Sequence, residues 1–203
     1  MSPRRYDSPG RDAAAAQTRA RIVAAAAAIL GTAEGMHDFS LEAVAKAAGV
    51  TRLTVYNQFG SRRAVLEAVF DQVALRGGLH RLAEAVAQPD PRAAIGQVVT
   101  IFCDFWSSDR GAIGLLHAAG TDNQEFAASV TARNERRRRL FAAVVRRIDM
   151  APKARRDLVD TLFALTSFAF FAQLTSAGRS AASAERIIQE LARDAVRRAE
   201  SSS

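Results

Sequence analysis

Apolar side chains recur every three or four residues along most of this 203-residue chain, which is the pattern of amphipathic helices. In the first half, the pattern predicts helices over residues 12–30, 41–48, 51–59 and 62–87, with Gly77-Gly78 as a candidate interruption of the last. In the second half, it predicts helices over residues 92–107, 110–119, 122–148, 153–176 and 184–200. Sustained alternation of polar and apolar residues, which a strand requires, does not occur in the sequence. The predicted fold class is therefore all-α.

Composition and helical pattern divide the chain into three predicted parts. Residues 1–11 mix Pro, Gly, Ser and Arg without periodicity, which predicts a flexible basic N-terminal arm. Residues 12–61 are predicted to form a small N-terminal domain, and residues 62–203 a larger helical domain. The clearest break in the sequence, Gln88-Pro89-Asp90-Pro91, falls inside the larger part.

The segment from Phe39 to Leu66 carries the most specific pattern. Two helices of about two turns each begin after the N-cap residues Ser40 and Thr51, and the turn Gly49-Val50 joins them. Helices this short are unstable alone, so they must pack on neighbouring helices. The spacing predicts a helix-turn-helix whose second helix starts at Thr51.

The second helix has an apolar side and an unusual outer side. Val55 and Phe59 lie four residues apart and are predicted to face inward, which leaves Arg52, Leu53 and Tyr56 outside. A helix N-terminus that carries Thr and Arg suits the major groove of DNA, where arginine bonds guanine and threonine contacts a thymine methyl. A helix-turn-helix without DNA function is the simpler alternative, but the combination of caps, turn and outward side chains favours DNA binding.

The predicted DNA contacts lie on the second helix and at the starts of its neighbours. They are Ser40, Thr51, Arg52, Leu53, Thr54, Tyr56, Asn57 and Arg62.

The first 70 or so residues resemble the DNA-binding domain of the TetR family of bacterial transcriptional regulators. The matching positions are Thr18, Arg21, Ile22, Ala45, Ala48-Gly49-Val50-Thr51, Thr54-Val55-Tyr56, Phe59, Ser61-Arg62 and Leu66. The resemblance implies a homodimer that places two recognition helices on a palindromic operator, with a C-terminal domain that binds an inducer and the partner subunit. Two departures are Asn57-Gln58, where the family commonly has an aromatic or His pair, and Arg62, where it usually has Lys.

Aromatic residues and a few polar groups of the second half could line a pocket for an apolar or aromatic small-molecule effector. The candidates are Phe102, Phe105, Trp106, His117, Asn134, Phe163, Thr166, Ser167 and Phe170. An ordinary helical core is the alternative interpretation for each of them. His117 could hydrogen-bond a ligand, although a lone histidine is more often structural.

Apolar stripes on the last two predicted helices exceed the needs of one small bundle and favour a dimer interface. The candidates are Leu158, Leu162, Leu165, Ala169, Ile187, Ile188 and Leu191. Burial inside one subunit is the competing interpretation.

Charge adds little to this picture. Lys and Arg number 28 against 21 Asp and Glu, a net charge of +7 that makes a polyanionic partner plausible. Seven arginines between Arg133 and Arg147 follow one predicted helix and are interpreted as a solvated, partly salt-bridged face. The alternative is that this run attracts an acidic ligand or a second polyanion.

Other functional classes lack support in the sequence. Cys103 is the single cysteine, the three histidines lack metal-ligand spacing, and the catalytic motifs of hydrolases and phosphate-binding enzymes do not occur. We therefore expect no enzyme activity, metal or cofactor; a helical small-molecule carrier or enzyme without DNA function is the competing class. The start does not read as a secretory signal and residues 161–174 are too short for a membrane span, so we expect a cytoplasmic protein without a membrane partner.

Overall fold

The computed structural model describes residues 9–32, 35–122 and 124–201, which are helical apart from turns and contain no strand. The α-helices are α1 (Pro9–Leu30), α2 (Gly35–Asp38), α3 (Leu41–Ala48), α4 (Arg52–Phe59), α5 (Arg62–Arg76), α6 (Leu82–Val86), α7 (Pro91–Ser108), α8 (Arg110–Asp122), α9 (Gln124–Val145), α10 (Pro152–Leu165), α11 (Phe168–Ser176) and α12 (Ala181–Ser201). A short 3-10 helix, Leu79–Arg81, lies between α5 and α6. The predicted fold class is confirmed.

The chain divides into two compact units, Met1–Gln72 and Val73–Ser203. The division falls inside α5, whereas the sequence suggested a boundary just before this helix. In the N-terminal unit, α1 packs against α3 and α3 against α4. Ile22, Leu30, Phe39, Val44 and Val55 are buried in its core. Burial of these side chains holds the short helices in place, because α3 and α4 are too short to be stable in isolation.

In the C-terminal unit, α12 packs against α7 and α10, and α9 against α8 and α10. Helix α7 supplies the most continuous apolar surface, with residues on both sides of the helix buried. Its start is well defined, since Asp90 accepts hydrogen bonds from the backbone N–H groups of Arg92 and Ala93 and Pro91 occupies the first turn. The core of this unit is therefore built around α7.

Several helix boundaries differ from the predicted ones, and one predicted interruption is confirmed. Residues 1–8 of the predicted basic arm lie outside the described residues, and α1 begins at Pro9. The predicted interruption at Gly77-Gly78 is real: Gly78 has φ 82°, and a Cβ atom on Gly77 would lie 2.5 Å from the Phe105 ring. The helix predicted over residues 153–176 is instead two helices, α10 and α11, that meet at Thr166-Ser167.

Two stretches are long and apolar enough to cross a membrane by composition: Asp12–Leu30 within α1, and α10 with α11 taken together across a 50° bend. Both are packed helices of the two units, because α1 lies against α3 and α10 against α12.

Candidate DNA interface and effector site

The start of α4 is fixed by hydroxyl groups. The Thr51 side chain accepts a hydrogen bond of 3.1 Å from the backbone N–H of Thr54, and the two threonine hydroxyls lie 2.9 Å apart. Ser40 caps α3 in the same way, accepting from the N–H of Ala43 at 3.0 Å. Such caps satisfy backbone donors that the first helical turn leaves without partners. The predicted roles of Ser40 and Thr51 in DNA binding stay predictions beside these capping roles.

The turn between α3 and α4 needs a glycine. Gly49 has φ 64° and ψ 38°, in the left-handed region, and the N–H of Val50 donates to the carbonyl of Ala45 at 3.0 Å. This arrangement ends α3 abruptly and lets the chain enter α4 two residues later. The angle between the two short helices is therefore set by local backbone chemistry.

Helix α4 has one inward side and a broad outward side. Val55 is fully buried, whereas Leu53 is 65% and Tyr56 56% exposed. Arg52 and Asn57 are also exposed, and Thr54 is half-buried. An exposed Leu next to an exposed Tyr is a feature of a surface that another molecule covers. The predicted outward residues thus share one face and its leading turn, although their contact with DNA stays a prediction.

The C-terminal end of α4 is held by Arg19, a residue that the sequence analysis did not select. Its guanidinium donates to the carbonyl of Gln58 at 2.9 Å and lies 4.1 Å from the centre of the Phe59 ring. A cation over an aromatic face adds attraction to the hydrogen bond. Only three-dimensional contacts could identify this role, because Arg19 and Gln58 lie 39 residues apart.

Arg62 has a second role beside its predicted phosphate contact. It is half-buried, its Nε–H donates to the carbonyl of Phe39 at 2.9 Å, and its guanidinium lies 5.4 Å from the Phe39 ring centre. These contacts join the start of α5 to the residue before the α3 cap. A substitution at Arg62 will therefore disturb the position of α3 as well as any phosphate contact.

Arg52 is available to a ligand. Its nearest charged neighbour is Glu42, with Nε and Oε2 3.9 Å apart and both side chains largely exposed. An exposed pair at this distance contributes little and is readily replaced. The first turn of α4 contains no acidic residue, so its positive end remains attractive to a phosphate.

In the C-terminal unit, many predicted pocket residues gather into one aromatic cluster. The Trp106 ring lies 4.5 Å from Phe105, 5.6 Å from His117 and 6.1 Å from Phe102, measured between ring centres. Phe168, which the sequence analysis did not select, stacks on His117 at 4.8 Å. Burial is the main cause that lowers the pKa of His117 to about 4, and the charge of Arg137 adds to it, so this imidazole is neutral at physiological pH.

The break between α10 and α11 belongs to the same cluster. The Thr166 carbonyl accepts hydrogen bonds from the Trp106 indole at 2.9 Å and from Arg137 Nη1 at 2.6 Å. Arg137 also lies 4.3 Å from the centre of the Phe163 ring, and its Nη2 is 3.4 Å from Asn134 Oδ1. The interpretation of residues 133–147 as a solvated face is thus wrong for Arg137, because this side chain points into the core.

The remaining pocket candidates have separate surroundings. Ser167 caps α11: its hydroxyl accepts from the N–H of Phe170 and donates to the carbonyl of Ala164. Thr166 donates its hydroxyl to the carbonyl of Leu162 at 2.8 Å. Both hydroxyls therefore serve the backbone around the helix break, and Phe170 is half-buried on α11. Their contact with an effector stays a prediction.

Burial inside the chain divides the candidates for the dimer interface. Leu158, Leu162, Leu165 and Ile188 are buried within one subunit, where α10 packs against α12. These four belong to the intramolecular core, so the sequence-based assignment to the interface is corrected for them. Ala169 and Leu191 are exposed and Ile187 is half-buried, and only these three remain available to a partner.

The capped, solvent-facing helix α4, set by a glycine turn against α3, defines a helix-turn-helix DNA-binding protein. Residues 22–69 match the family model of the bacterial regulatory proteins of the tetR family. This match identifies the helix-turn-helix segment as similar to the DNA-binding domain of the tetR family. The resemblance seen in the sequence is confirmed.

Solved structures share the fold over most of the chain. A TetR-like transcriptional regulator from Rhodococcus sp. RHA1 is 20% identical, with a TM-score of 0.62 over 89% of this chain and 96% of that one. Another transcriptional regulator from the same organism is 18% identical, with a TM-score of 0.65 over 90% and 97%. The multidrug-binding protein EbrR, solved with imidazole, is 22% identical, with a TM-score of 0.57 over 85% and 93%. No curated protein sequence matches the chain.

Proposed function

We propose that this regulator is a ligand-responsive repressor that binds a palindromic operator as a homodimer in the cytoplasm. Each subunit places the leading turn of α4 in the major groove, and a small molecule bound in the C-terminal unit releases the DNA. The observation that carries the proposal is the exposed face of α4, where Leu53 and Tyr56 lie in solvent while Val55 is buried beneath them.

The two reading helices of a dimer must enter successive major grooves on one side of the DNA. Their separation must therefore match one helical repeat, roughly 34 to 36 Å. An effector that stabilises any other separation weakens operator binding by shifting the population of dimers. Regulation in this scheme needs only a difference in effector affinity between the two arrangements.

Residues of α4 and the first residue of α5 divide into those that read the sequence and those that position the protein on DNA. Arg52 and Thr54 stand at the leading turn and read base edges, while Tyr56 and Arg62 contact phosphates. Leu53 suits the methyl group of thymine, because its side chain is exposed and apolar. Asn57 follows on the same outward face and completes the contact surface.

The experiment that tests this proposal begins with selection of preferred DNA from a random library, followed by titration of the selected site. A palindromic consensus bound by two chains, with affinity that falls steeply as salt increases, is the expected result. Selection that yields no consensus, or binding equal to that of random DNA, contradicts the proposal.

Variants of the full chain then separate the two roles. Arg52→Ala is expected to change the preferred base at one position of each half-site, whereas Tyr56→Ala lowers affinity for all sites alike. Arg136→Ala is the matched control, because it removes an exposed arginine from α9 in the C-terminal unit. Equal loss on every operator variant for Arg52→Ala contradicts the reading role.

The proposed repressor binds its effector and releases it unchanged. The aromatic cluster around Trp106 supports this, since it offers rings and one buried cation rather than an activated nucleophile or a carboxylate pair. Chemical analysis of a bound small molecule after prolonged incubation tests the point. Recovery of a modified product at a rate that depends on the protein would favour an enzyme instead.

A further inference from the structure

Arg137 is the one arginine of the α9 run that lies in the core, with only 7% of its surface exposed. Arg136 and Arg139 are exposed, and Arg138 is half-buried and pairs with Asp160. Burial of a guanidinium is costly unless an opposite charge lies beside it. The partners of Arg137 therefore decide whether its charge is balanced.

The hydrogen-bond and ring partners that the structure describes for Arg137 are neutral groups. Its Nη1 and Nη2 face the Thr166 carbonyl and the Asn134 amide oxygen, and the rings of Phe163 and Phe102 lie 4.3 and 5.7 Å away. Its Nε–H is buried and donates to no acceptor. Among the side chains that the structure describes, no carboxylate forms an ion pair with Arg137.

Structural contacts account for part of the stabilisation of this cation. The Thr166 carbonyl ends α10, where the helix dipole is negative, and aromatic faces attract a guanidinium. A helix end carries roughly half a negative charge and the rings carry no net charge, so these contacts do not balance the cation. The neighbouring guanidinium of Arg138 lies over the same Phe163 ring at 4.3 Å. Burial first, and Arg138 second, lower the pKa of Arg137 to about 10, so the group remains charged at physiological pH.

The surroundings of the buried cation suit an aromatic or aliphatic ligand. His117, Phe163 and Phe168 are half-buried, so their rings retain surface that a ligand can cover. The neutral His117 ring stacks on Phe168 and adds no second positive charge. A ligand with an apolar body and one negatively charged group would therefore be complementary to these rings and to Arg137.

We propose that the effector of this protein carries an anionic group, a carboxylate on an aromatic or apolar body, and that Arg137 binds that group. The inference rests on the proposed function, in which the C-terminal unit binds the effector, and it narrows the apolar or aromatic class that the sequence suggested. The Nε–H of Arg137 donates to one carboxylate oxygen, and a charge-assisted bond of this kind is about twice as strong as a neutral one. The rings of the cluster cover the apolar body.

The experiment compares carboxylates with amides of the same shape. Benzoate is paired with benzamide, and cyclohexanecarboxylate with cyclohexanecarboxamide, and each is titrated into the full-length protein. Trp106 is the single tryptophan and lies in the cluster, so its fluorescence reports occupancy of this site. We expect each carboxylate to bind at least about tenfold more tightly than its amide, because only the carboxylate neutralises Arg137.

Two variants assign this preference to Arg137. Arg137→Gln is expected to remove the tenfold preference, and Arg138→Gln, which alters the neighbouring guanidinium, is expected to keep it. Arg137→Lys keeps the test decisive if the glutamine variant does not fold. It retains the positive charge but loses the planar guanidinium. The lysine variant is expected to keep the preference for carboxylate over amide with weaker absolute affinity.

Three results would overturn the proposal: absence of carboxylate binding to the wild-type protein, equal binding of acid and amide, or a preference that survives in Arg137→Gln. Operator affinity of the effector-free wild-type protein is measured in parallel. A wild-type protein that binds its operator but shows no preference for carboxylates overturns this inference alone, whereas absence of operator binding overturns the proposed function.

Discussion

Arg147 ties the end of α9 to the turn that precedes α7. Its guanidinium donates to the carbonyl of Val86, the last residue of α6, and to the carbonyls of Gln88 and Pro89 in the turn that follows. One charged group thus satisfies three carbonyls that the helix end and the proline leave without backbone donors.

Replacement of Arg147 by glutamine is expected to destabilise the C-terminal unit by about 1 to 2 kcal/mol, because the exposed carbonyls regain water in place of a charged donor. Urea unfolding followed by Trp106 fluorescence measures the change. Arg146→Gln is the matched control, since this neighbouring side chain is exposed and should alter the midpoint only slightly. Equal midpoints for the two variants would contradict the capping role.

The reactivity of the Cys103 thiol tests whether this side chain is buried. Burial, with smaller contributions from Glu185 and Asp104, raises the pKa of this thiol to about 12. At pH 8 the folded protein therefore holds almost no thiolate, which is the reactive form. We expect a thiol-specific disulfide reagent to react with the folded chain at least roughly 100-fold more slowly than with the urea-unfolded chain. Rapid reaction in the folded state would show that Cys103 is accessible.

The stability of helix α4 depends on the hydroxyl of its N-cap residue, Thr51. Thr51→Ala removes the acceptor for the Thr54 N–H and is expected to cost about 1 kcal/mol of stability in the N-terminal unit. Thr51→Ser is the control and should keep most of that stability, because its hydroxyl can accept the same bond. Thermal unfolding followed by circular dichroism makes the comparison, and identical curves for the Ala and Ser variants would argue against the cap.

Local chemistry explains why the sequence predicted α3 and α4 so closely. Ser40, Gly49 and Thr51 set helix ends through contacts with residues no more than a few positions away. The exposed and buried sides of α4 then follow from helical spacing around Val55. Elements whose limits are set by neighbouring residues can be predicted from the sequence alone.

The break between α10 and α11 could not be predicted in this way. Its Thr166 carbonyl is satisfied by Trp106 and Arg137, which lie 60 and 29 residues away along the chain. The pattern of apolar residues continues through residues 153–176, and although Ser167 caps α11 locally, the donors to the Thr166 carbonyl come from distant parts of the chain. The position of Arg137 in the core escaped prediction for the same reason.

The assembly of two subunits is a property of the whole molecule, and α12 offers a test of it. Leu191 on this helix is 38% exposed, although it is a large apolar residue. In the proposed dimer, its side chain is covered by the partner subunit.

Leu191→Glu is expected to shift the protein from dimer to monomer, with a dimer dissociation constant raised roughly 100-fold, because a carboxylate would be buried without a partner. Sedimentation velocity across a range of concentrations measures the shift. Glu190→Gln alters the adjacent exposed position and should leave the dimer intact. An unchanged sedimentation coefficient for Leu191→Glu would place the subunit contact elsewhere.

The contacts of Arg19 with α4 predict how a substitution at this residue would behave in a genetic screen. Because its guanidinium holds the last turn of α4, a change in α1 can displace the recognition helix without altering any atom that meets DNA. A screen for mutants that fail to silence an operator-controlled reporter would recover Arg19 beside the true contact residues. Their melting temperatures would separate loss of Arg19 from loss of exposed residues such as Arg52 and Tyr56, since Arg19 also stabilises the end of α4.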